Sequence, residues 1–159
     1  MSQSTSQGRI VALDVGGKRI GIAMSDPDRI IASGQPTIDA QPPKAAFERI
    51  RLLVESNEVV QIVIGLPLTL RGEIGPQAEV IQNFARELGK RVNVPIALYD
   101  ERLTSVAADR SLEALGMKKN KRREHVDEMA AVLILQSYMD SLRNPPLPWL
   151  QNDDRDDWD

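Results

Sequence analysis

The 159-residue sequence contains no cysteine and a single histidine. Disulfides and thiolate chemistry are therefore excluded, and a reducing compartment is the simplest expectation. No apolar stretch approaches the roughly 18 residues that a membrane span requires. The first seven residues, Met-Ser-Gln-Ser-Thr-Ser-Gln, lack the basic region and apolar core of a secretory signal. We therefore expect a cytoplasmic protein that does not associate with membranes.

Aromatic residues are also scarce, at 4% of the chain, whereas hydrophobic residues make up 42%. The two Trp and two Tyr residues are too scattered along the sequence to predict a base-stacking platform. A core of Ile, Leu, Val and Ala is typical of an α/β protein, and the length suits one domain. We expect a domain over residues 9–143, a disordered tail over 1–8, and a Pro-rich, acidic tail over 144–159.

The net charge of −3 is unevenly distributed, since residues 152–159 hold five Asp and one Arg. The remaining chain has 19 basic and 18 acidic residues, a net charge of +1, so the overall sign does not exclude nucleic acid as a partner. Basic residues are concentrated at Lys118, Lys119, Lys121, Arg122 and Arg123. Such a block is usually a solvated surface segment, and the alternative is a contact with phosphates.

The hydrophobic pattern predicts a mixed sheet covered by helices. The predicted strands span 10–13, 20–24, 30–38, 59–64 and 94–99, and the first two form a hairpin at Gly16-Gly17. The predicted helices span 43–57, 76–89, 104–115 and 124–142. For three of them we predict the buried stripes, which are Ala46, Ile50, Leu53 and Val54 in the first helix, Val80, Phe84 and Leu88 in the second, and Val126, Ala130, Leu133 and Ser137 in the last.

Two acidic residues follow predicted strands, and a third lies in the last helix. Asp14 and Glu101 come at strand ends, where ligands bind in open α/β sheets. Taken alone, Asp14 before two glycines is equally well explained as a turn residue. Asp127 precedes Ala130 and Ala131, whose small side chains would let the helix approach the first strand closely. The pattern therefore indicates three carboxylates that could converge.

Five sequence blocks carry a resemblance to a known family. They are Asp14-Val-Gly-Gly-Lys-Arg-Ile-Gly-Ile-Ala, Ile-Gly-Leu-Pro at 64–67, Gly-Pro-Gln-Ala at 75–78, Asp-Glu-Arg-Leu-Thr-Ser at 100–105, and Asp-Glu-Met-Ala-Ala-Val-Leu-Ile-Leu-Gln at 127–136. These blocks, in this order, resemble the YqgF/RuvX family over about residues 9–143. The family has an RNase H-like fold related to RuvC resolvases, so the resemblance implies a five-stranded mixed sheet with helices on both faces. Gly17 departs from the family, which commonly has a bulkier polar residue there.

The resemblance implies that Asp14, Glu101 and Asp127 are the catalytic residues and the ligands of Mg²⁺ or Mn²⁺, with two ions expected. It also implies a nuclease that processes the 5′ end of precursor 16S ribosomal RNA, or alternatively a Holliday junction resolvase. Phosphodiester hydrolysis by two metals agrees with this set, because Mg²⁺ binds through a few carboxylates and keeps water and phosphate ligands.

Other polar residues near these motifs have candidate roles. Phosphate contacts are expected from the basic residues of the predicted site edge and of the basic block, namely Lys18, Arg19, Arg71, Arg102, Lys118, Lys119, Arg122 and Arg123. His125 could act as an acid or a base, although a solvated histidine at a helix start is the favoured interpretation. Asp26 and Asp100 could support the site residues through hydrogen bonds, although turn and strand-end residues are the favoured interpretation.

Two other protein classes share parts of this pattern. ATP-binding folds of the actin and sugar-kinase type begin with a similar hairpin, but they need a second half for which 159 residues leave no room. A catalytically silent nucleic-acid-binding module would typically lack acidic ligands, and all three candidates are present. We expect RNA rather than a DNA junction as substrate, and a monomer rather than a dimer, because no second exposed apolar face is evident.

Overall fold

The computed structural model describes residues 8–104 and 120–143, with only the backbone described over 120–128. The strands are β1 (Arg9–Val15), β2 (Arg19–Ser25), β3 (Ala32–Asp39), β4 (Val59–Leu66) and β5 (Ile96–Asp100). The described α-helices are α1 (Pro43–Ser56), α2 (Pro76–Gly89) and α3 (Asn120–Arg143), and a 3₁₀ turn covers Glu101–Leu103. None of the described helices combines the length and apolar composition of a membrane span.

The five strands form one sheet in the order β3-β2-β1-β4-β5. β1 pairs antiparallel with β2, and β2 pairs antiparallel with β3. β4 is parallel to both β1 and β5. This order and these directions give the RNase H-like fold that the sequence resemblance implied. The carboxyl ends of β1, β4 and β5 therefore meet at one edge of the sheet, called here the carboxyl edge.

The first hairpin depends on glycine at position 16. The Gly16 amide donates a hydrogen bond to the Arg19 carbonyl at 3.0 Å. A Cβ atom at position 16 would lie only 2.9 Å from that carbonyl oxygen, so a larger residue would force the turn to open. By contrast, a Cβ atom at Gly17 would meet nothing within 4 Å. The hairpin prediction is confirmed, and Gly16 is the glycine that it requires.

One face of the sheet is covered by α1 and α2. Alternate residues of β1, such as Val11 and Leu13, pack with Ile50 of α1 and Leu88 of α2. The predicted α2 stripe was wrong at Val80, whose surface is 61% exposed. The buried residues of α2 are Ala78, Ile81 and Leu88. Residues spaced four apart on a helix differ by about 40° around the helix axis. A series at this spacing therefore leaves the buried side of the helix within two turns.

The other face is covered by α3, whose buried residues are Ala130, Ala131, Ile134, Leu135 and Met139. They pack on the residues of β1 that alternate with the first set, including Ile10 and Ala12. The predicted stripe was right at Ala130 and wrong at Leu133 and Ser137, which are only partly buried, and Val126 is described by its backbone alone. Apolar residues surround much of this helix, so periodicity alone did not select the side that the sheet covers.

Two predicted boundaries differ from the structure or lie outside it. α3 begins at Asn120, four residues earlier than predicted, so Arg122 and Arg123 belong to its first turns. Lys and Arg are good helix formers, which explains why Lys121, Arg122 and Arg123 are helical. The predicted helix over 104–115 and the predicted tails over 1–8 and 144–159 lie outside the described residues, apart from Thr104 and Gly8, whose amide donates to the Pro27 carbonyl at 3.2 Å.

Candidate active site at the carboxyl edge

Asp14 occupies the penultimate position of β1, and its surface is only 4% exposed. Its neighbours Leu13 and Val15 belong to the core beneath α1 and α2. Because side chains alternate along a strand, Asp14 points to the opposite face, which α3 covers. Its cross-strand partner on β2 is Gly21, which has no side chain on that face. The sequence therefore places a buried carboxylate under the α3 side of the carboxyl edge.

Glu101 begins the 3₁₀ turn directly after β5, and its surface is 5% exposed. The turn is fixed on both sides of this residue. Asp100 accepts a hydrogen bond from the Arg102 amide at 2.9 Å. Thr104 donates to the Glu101 carbonyl from its amide at 3.0 Å and from its hydroxyl at 2.8 Å. These bonds hold the backbone that orients the Glu101 carboxylate.

Gly65 of β4 connects the two carboxylates in space. Leu13 is paired with Ile64, so Asp14 and Gly65 follow as neighbours on adjacent strands. A Cβ atom at Gly65 would lie 2.9 Å from Oε2 of Glu101, which means that the carboxylate lies directly over this glycine. The structure thus brings Asp14 and Glu101 to the same face of the sheet, with one strand between them.

The direction of α3 determines which part of the helix approaches this place. The Gln61 side chain, near the start of β4, donates to the Tyr138 hydroxyl at 2.9 Å. Ile134 lies against Gly65, near the end of β4, where its Cδ1 would be 2.7 Å from a built Cβ atom. α3 therefore runs antiparallel to β4, and its N-terminal half lies toward the carboxyl edge. Asp127 is in that half, one turn before Ala130 and Ala131.

Arg102 makes a contact that the sequence prediction did not include. Its Nη2 donates to Oδ2 of Asp100 at 2.7 Å, and its Nε lies 3.1 Å from both carboxylate oxygens. The guanidinium lowers the pKa of Asp100. A Cβ atom at Gly72, where φ is +81°, would lie 3.1 Å from the guanidinium nitrogens. Arg102 therefore joins the end of β5 to the loop after β4, and the Asp-x-Arg spacing was the available signal.

The other predicted phosphate-binding residues are distributed as follows. Lys18 and Arg71 are exposed, Arg19 is partly buried, and all three lie at the carboxyl edge. Lys118 and Lys119 lie outside the described residues, and Arg122 and Arg123 are placed by their backbone only. His125 is also placed by its backbone only, so its interpretation stays a prediction.

Asp26 lies at the end of β2, which is the opposite edge of the sheet from Asp14. Its Oδ1 accepts hydrogen bonds from the amides of Ile30 and Ile31, both at 2.8 Å. These bonds lower the pKa of Asp26, with the Ile31 amide as the largest cause. Asp26 is therefore a turn-capping residue, as the sequence interpretation favoured.

A cavity of about 300 Å³ opens at the carboxyl edge beside Glu101. It is enclosed by the β1–β2 turn, the end of β4 and the first turns of α2. Its lining comprises Val15, Gly16, Gly17, Pro67, Gln77, Val80, Ile81 and Glu101. Sequence reasoning did not find this cavity, because it is assembled from segments that are far apart in the chain.

Among the residues whose side chains are described, no three acidic, histidine or cysteine residues form a group able to hold a metal ion. Asp14 and Glu101 supply two carboxylates, and the third candidate, Asp127, is described by its backbone alone. Oxygen donors of this kind suit a hard divalent cation. The described geometry thus includes two of the three predicted ligands.

The chain was compared with known proteins. The family model RuvX, described as a Holliday junction resolvase, matches residues 8–141. A relative from Chloroflexus aurantiacus, named "Putative pre-16S rRNA nuclease", is 50% identical over 137 residues, covering 86% of this chain and 90% of that protein. A relative of the same name from Roseiflexus sp. is 49% identical over 140 residues, covering 88% and 99%.

Among solved structures, Thermus thermophilus RuvC in complex with a Holliday junction is 14% identical with a TM-score of 0.47, covering 82% of this chain and 94% of that one. The fowlpox virus Holliday junction resolvase is also 14% identical with a TM-score of 0.47, covering 84% and 99%. The family match spans nearly all of the described residues, including both buried carboxylates. The chain therefore belongs to the RuvX family, which is a family of nucleases.

Proposed function

We propose that this nuclease processes the 5′ end of precursor 16S ribosomal RNA, with Asp14, Glu101 and Asp127 as its catalytic carboxylates. The observation that supports the site most directly is the pair of buried carboxylates on one face of the sheet, with Gly65 between them. The names of the curated relatives support the substrate. Ribosomal RNA is processed in the bacterial cytoplasm, so we place the protein there.

Two ions of Mg²⁺ or Mn²⁺ are the proposed cofactors. Asp14 and Glu101 offer carboxylate oxygens at the carboxyl edge, where Glu101 also lines a cavity, and such donors suit these cations. When bound, the metal would activate a water molecule and stabilise the departing alkoxide. The role of the protein is to hold the carboxylates at fixed positions, which the hydrogen bonds around the 3₁₀ turn achieve for Glu101.

The proposed third ligand is Asp127, and its support is the placement of α3. Position 127 precedes Ala130, Ala131 and Ile134 by three, four and seven residues, so it continues the stripe of α3 that packs on the sheet. The helix runs toward the carboxyl edge in that direction. Ala130 and Ala131 are both buried, which allows close approach of the helix to the strands.

Basic residues around this edge are proposed to bind the phosphate backbone. Lys18 and Arg71 are exposed there, and Arg19 and Arg102 lie beside them. We propose the same role for Lys118, Lys119, Arg122 and Arg123. Arg122 and Arg123 are in the first turns of α3, where the partial positive charge of the helix N-terminus also favours an anion.

The direct test replaces each carboxylate by its amide, as Asp14→Asn, Glu101→Gln and Asp127→Asn. Each change removes an anionic ligand while nearly preserving shape, so cleavage with Mg²⁺ or Mn²⁺ should fall by at least about a hundredfold while the protein stays folded. Asp28→Asn is the matched control, because Asp28 is exposed in the turn at the opposite edge. Undiminished cleavage by all three variants would refute the site.

The second candidate function is resolution of Holliday junctions, which the description of the matching family model favours. A resolvase cuts two symmetric strands and so needs a two-fold dimer with two sites. A precursor ribosomal RNA fragment and a mobile DNA junction should be offered at equal concentration with Mn²⁺, while light scattering reports the mass. We expect a monomer that cuts the RNA. Paired symmetric cuts in the junction by a stable dimer, with the RNA intact, would establish the second function instead.

A further inference from the structure

The cavity beside Glu101 has a lining that differs from a phosphate site. Its described walls contain four apolar residues, namely Val15, Pro67, Val80 and Ile81, and no Lys or Arg. Its acidic member, Glu101, is a proposed metal ligand and marks the end of the cavity at the proposed catalytic site. The exposed cations of this edge, such as Lys18 and Arg71, do not line it. The interior therefore suits an uncharged and largely apolar group rather than an anion.

Gln77 supplies one polar group on this wall. It is exposed in the first turn of α2. Its amide is both a donor and an acceptor, and within the described part of the chain we find no hydrogen bond from it. A planar group with donors and acceptors along its edge and an apolar face would match Gln77 and the apolar walls together. A nucleobase has both features.

Part of the entrance to the cavity is formed by backbone without side chains. Gly16 and Gly17 form one rim, and a Cβ atom at Gly17 would project into open space. Backbone without side chains permits close approach of a ribose-phosphate chain. The volume of about 300 Å³ is at the lower end of the range for small-ligand sites, enough for one base with part of its sugar.

We propose that this cavity binds a single unstacked nucleobase of the RNA strand, adjacent to the phosphodiester that lies at Asp14 and Glu101. The inference rests on the proposed function and adds the position of the nucleotide beside the cleaved bond. Proteins that recognise RNA by sequence read bases that are splayed out of the helix, and a cavity of this kind requires such a base. The site would therefore favour a single-stranded or frayed segment over a continuous duplex.

The test measures binding of a 12-nucleotide single-stranded RNA and of a series in which each base in turn is removed to leave an abasic residue. An Asp14→Asn background with Mg²⁺ prevents cleavage during the measurement. Two proteins are compared. One carries Gln77→Ala with Val80→Ser, which alter two exposed positions of the cavity wall. The other carries Asn83→Ala, which removes an exposed amide from the same helix outside the cavity.

Loss of one particular base should weaken binding to the Asn83→Ala protein by about fivefold, at the low end for base contacts because the described residues of the wall include no aromatic side chain. The same loss should leave binding to the Gln77→Ala, Val80→Ser protein unchanged. Equal effects of base removal on both proteins would overturn the inference. If the parent protein still cleaves the RNA in that case, the proposed function stands without this subsite. If no RNA is bound or cleaved, both the proposed function and the nucleobase site are overturned.

Discussion

Gly65 lies directly beneath the carboxylate of Glu101. A Cβ atom at this position would be 2.9 Å from Oε2 of Glu101, so the carboxylate would have to shift, and 3.2 Å from its Cγ, which is a tight contact. The glycine therefore sets how closely Glu101 lies to the sheet and to Asp14 on the neighbouring strand. Gly65, which has no functional side chain, thus controls the position of the Glu101 carboxylate.

Gly65→Ala is therefore expected to reduce cleavage by at least about tenfold while the protein still folds. The atoms that a new methyl group would meet are the end of Glu101 and Cδ1 of Ile134, and both can move. Overpacking of this kind costs about 1–3 kcal/mol of the free energy of unfolding. Cleavage rates and urea unfolding curves measure the two effects.

The control for this change is Gly89→Ala at the end of α2. A Cβ atom there would lie 3.8 Å from Ile96, an ordinary contact, so neither activity nor stability should fall. If Gly65→Ala cleaves as fast as Gly89→Ala, the position of Glu101 does not depend on this glycine.

Arg102→Lys separates the positive charge of this residue from its forked contact with Asp100. Lysine keeps the positive charge but cannot form the forked contact with Asp100, so the pKa of Asp100 should rise toward its ordinary value. We expect slower cleavage with little change in the salt dependence of binding, because the loop after β4 loses its attachment to β5. Carboxyl NMR titration and single-turnover rates measure the change.

Arg71→Ala is the comparison for that experiment, since Arg71 is exposed in the same loop. Loss of a phosphate contact should reduce the slope of log K against log salt by up to about 0.9. Because Arg102 is also a proposed phosphate contact, Arg102→Ala should reduce the slope similarly, and an unchanged slope would leave it only the contact with Asp100.

Replacement of Lys118, Lys119, Arg122 and Arg123 by alanine should weaken RNA binding and flatten its salt dependence. Each lost phosphate contact contributes up to about 0.9 to the slope, so four contacts would change it by about 3 to 4. Fluorescence anisotropy from 50 to 300 mM salt, roughly the range in which such slopes are resolved, measures the effect. A slope equal to that of the parent protein would mean that this segment is an ordinary solvated surface and does not contact phosphates.

Asp26 should make stability depend on pH in the acid range. Amide hydrogen bonds, above all from Ile31, lower its pKa in the folded state below its ordinary value, so the folded state favours the charged form. The resulting stability is fully present above the unfolded pKa and is lost as the pH falls through the folded pKa. Asp26→Asn should therefore show a smaller loss of stability between pH 5 and pH 2 than the parent protein, measured by urea unfolding. An identical loss would mean that Asp26 does not contribute.

The sequence by itself determined the succession of strands and helices along the chain and the placement of Asp14 and Glu101 at strand ends. Continuous apolar runs mark buried strands, and alternation along β1 puts Asp14 on the face opposite Leu13. Glycine at position 16 fixed the first hairpin for a local steric reason. These features depend on neighbouring residues, so they can be read from short stretches of the chain.

Only the tertiary structure decided which side of each helix is buried. Val80 of α2 is exposed, whereas Ala131 and Ile134 of α3 are buried. The spacing of apolar residues alone does not specify which side of a helix packs on the sheet. The same is true of Gly65 under Glu101 and of Arg102 on Gly72. These contacts join residues that are about 30 or more positions apart, and their geometry follows from strand pairing and packing rather than from local sequence.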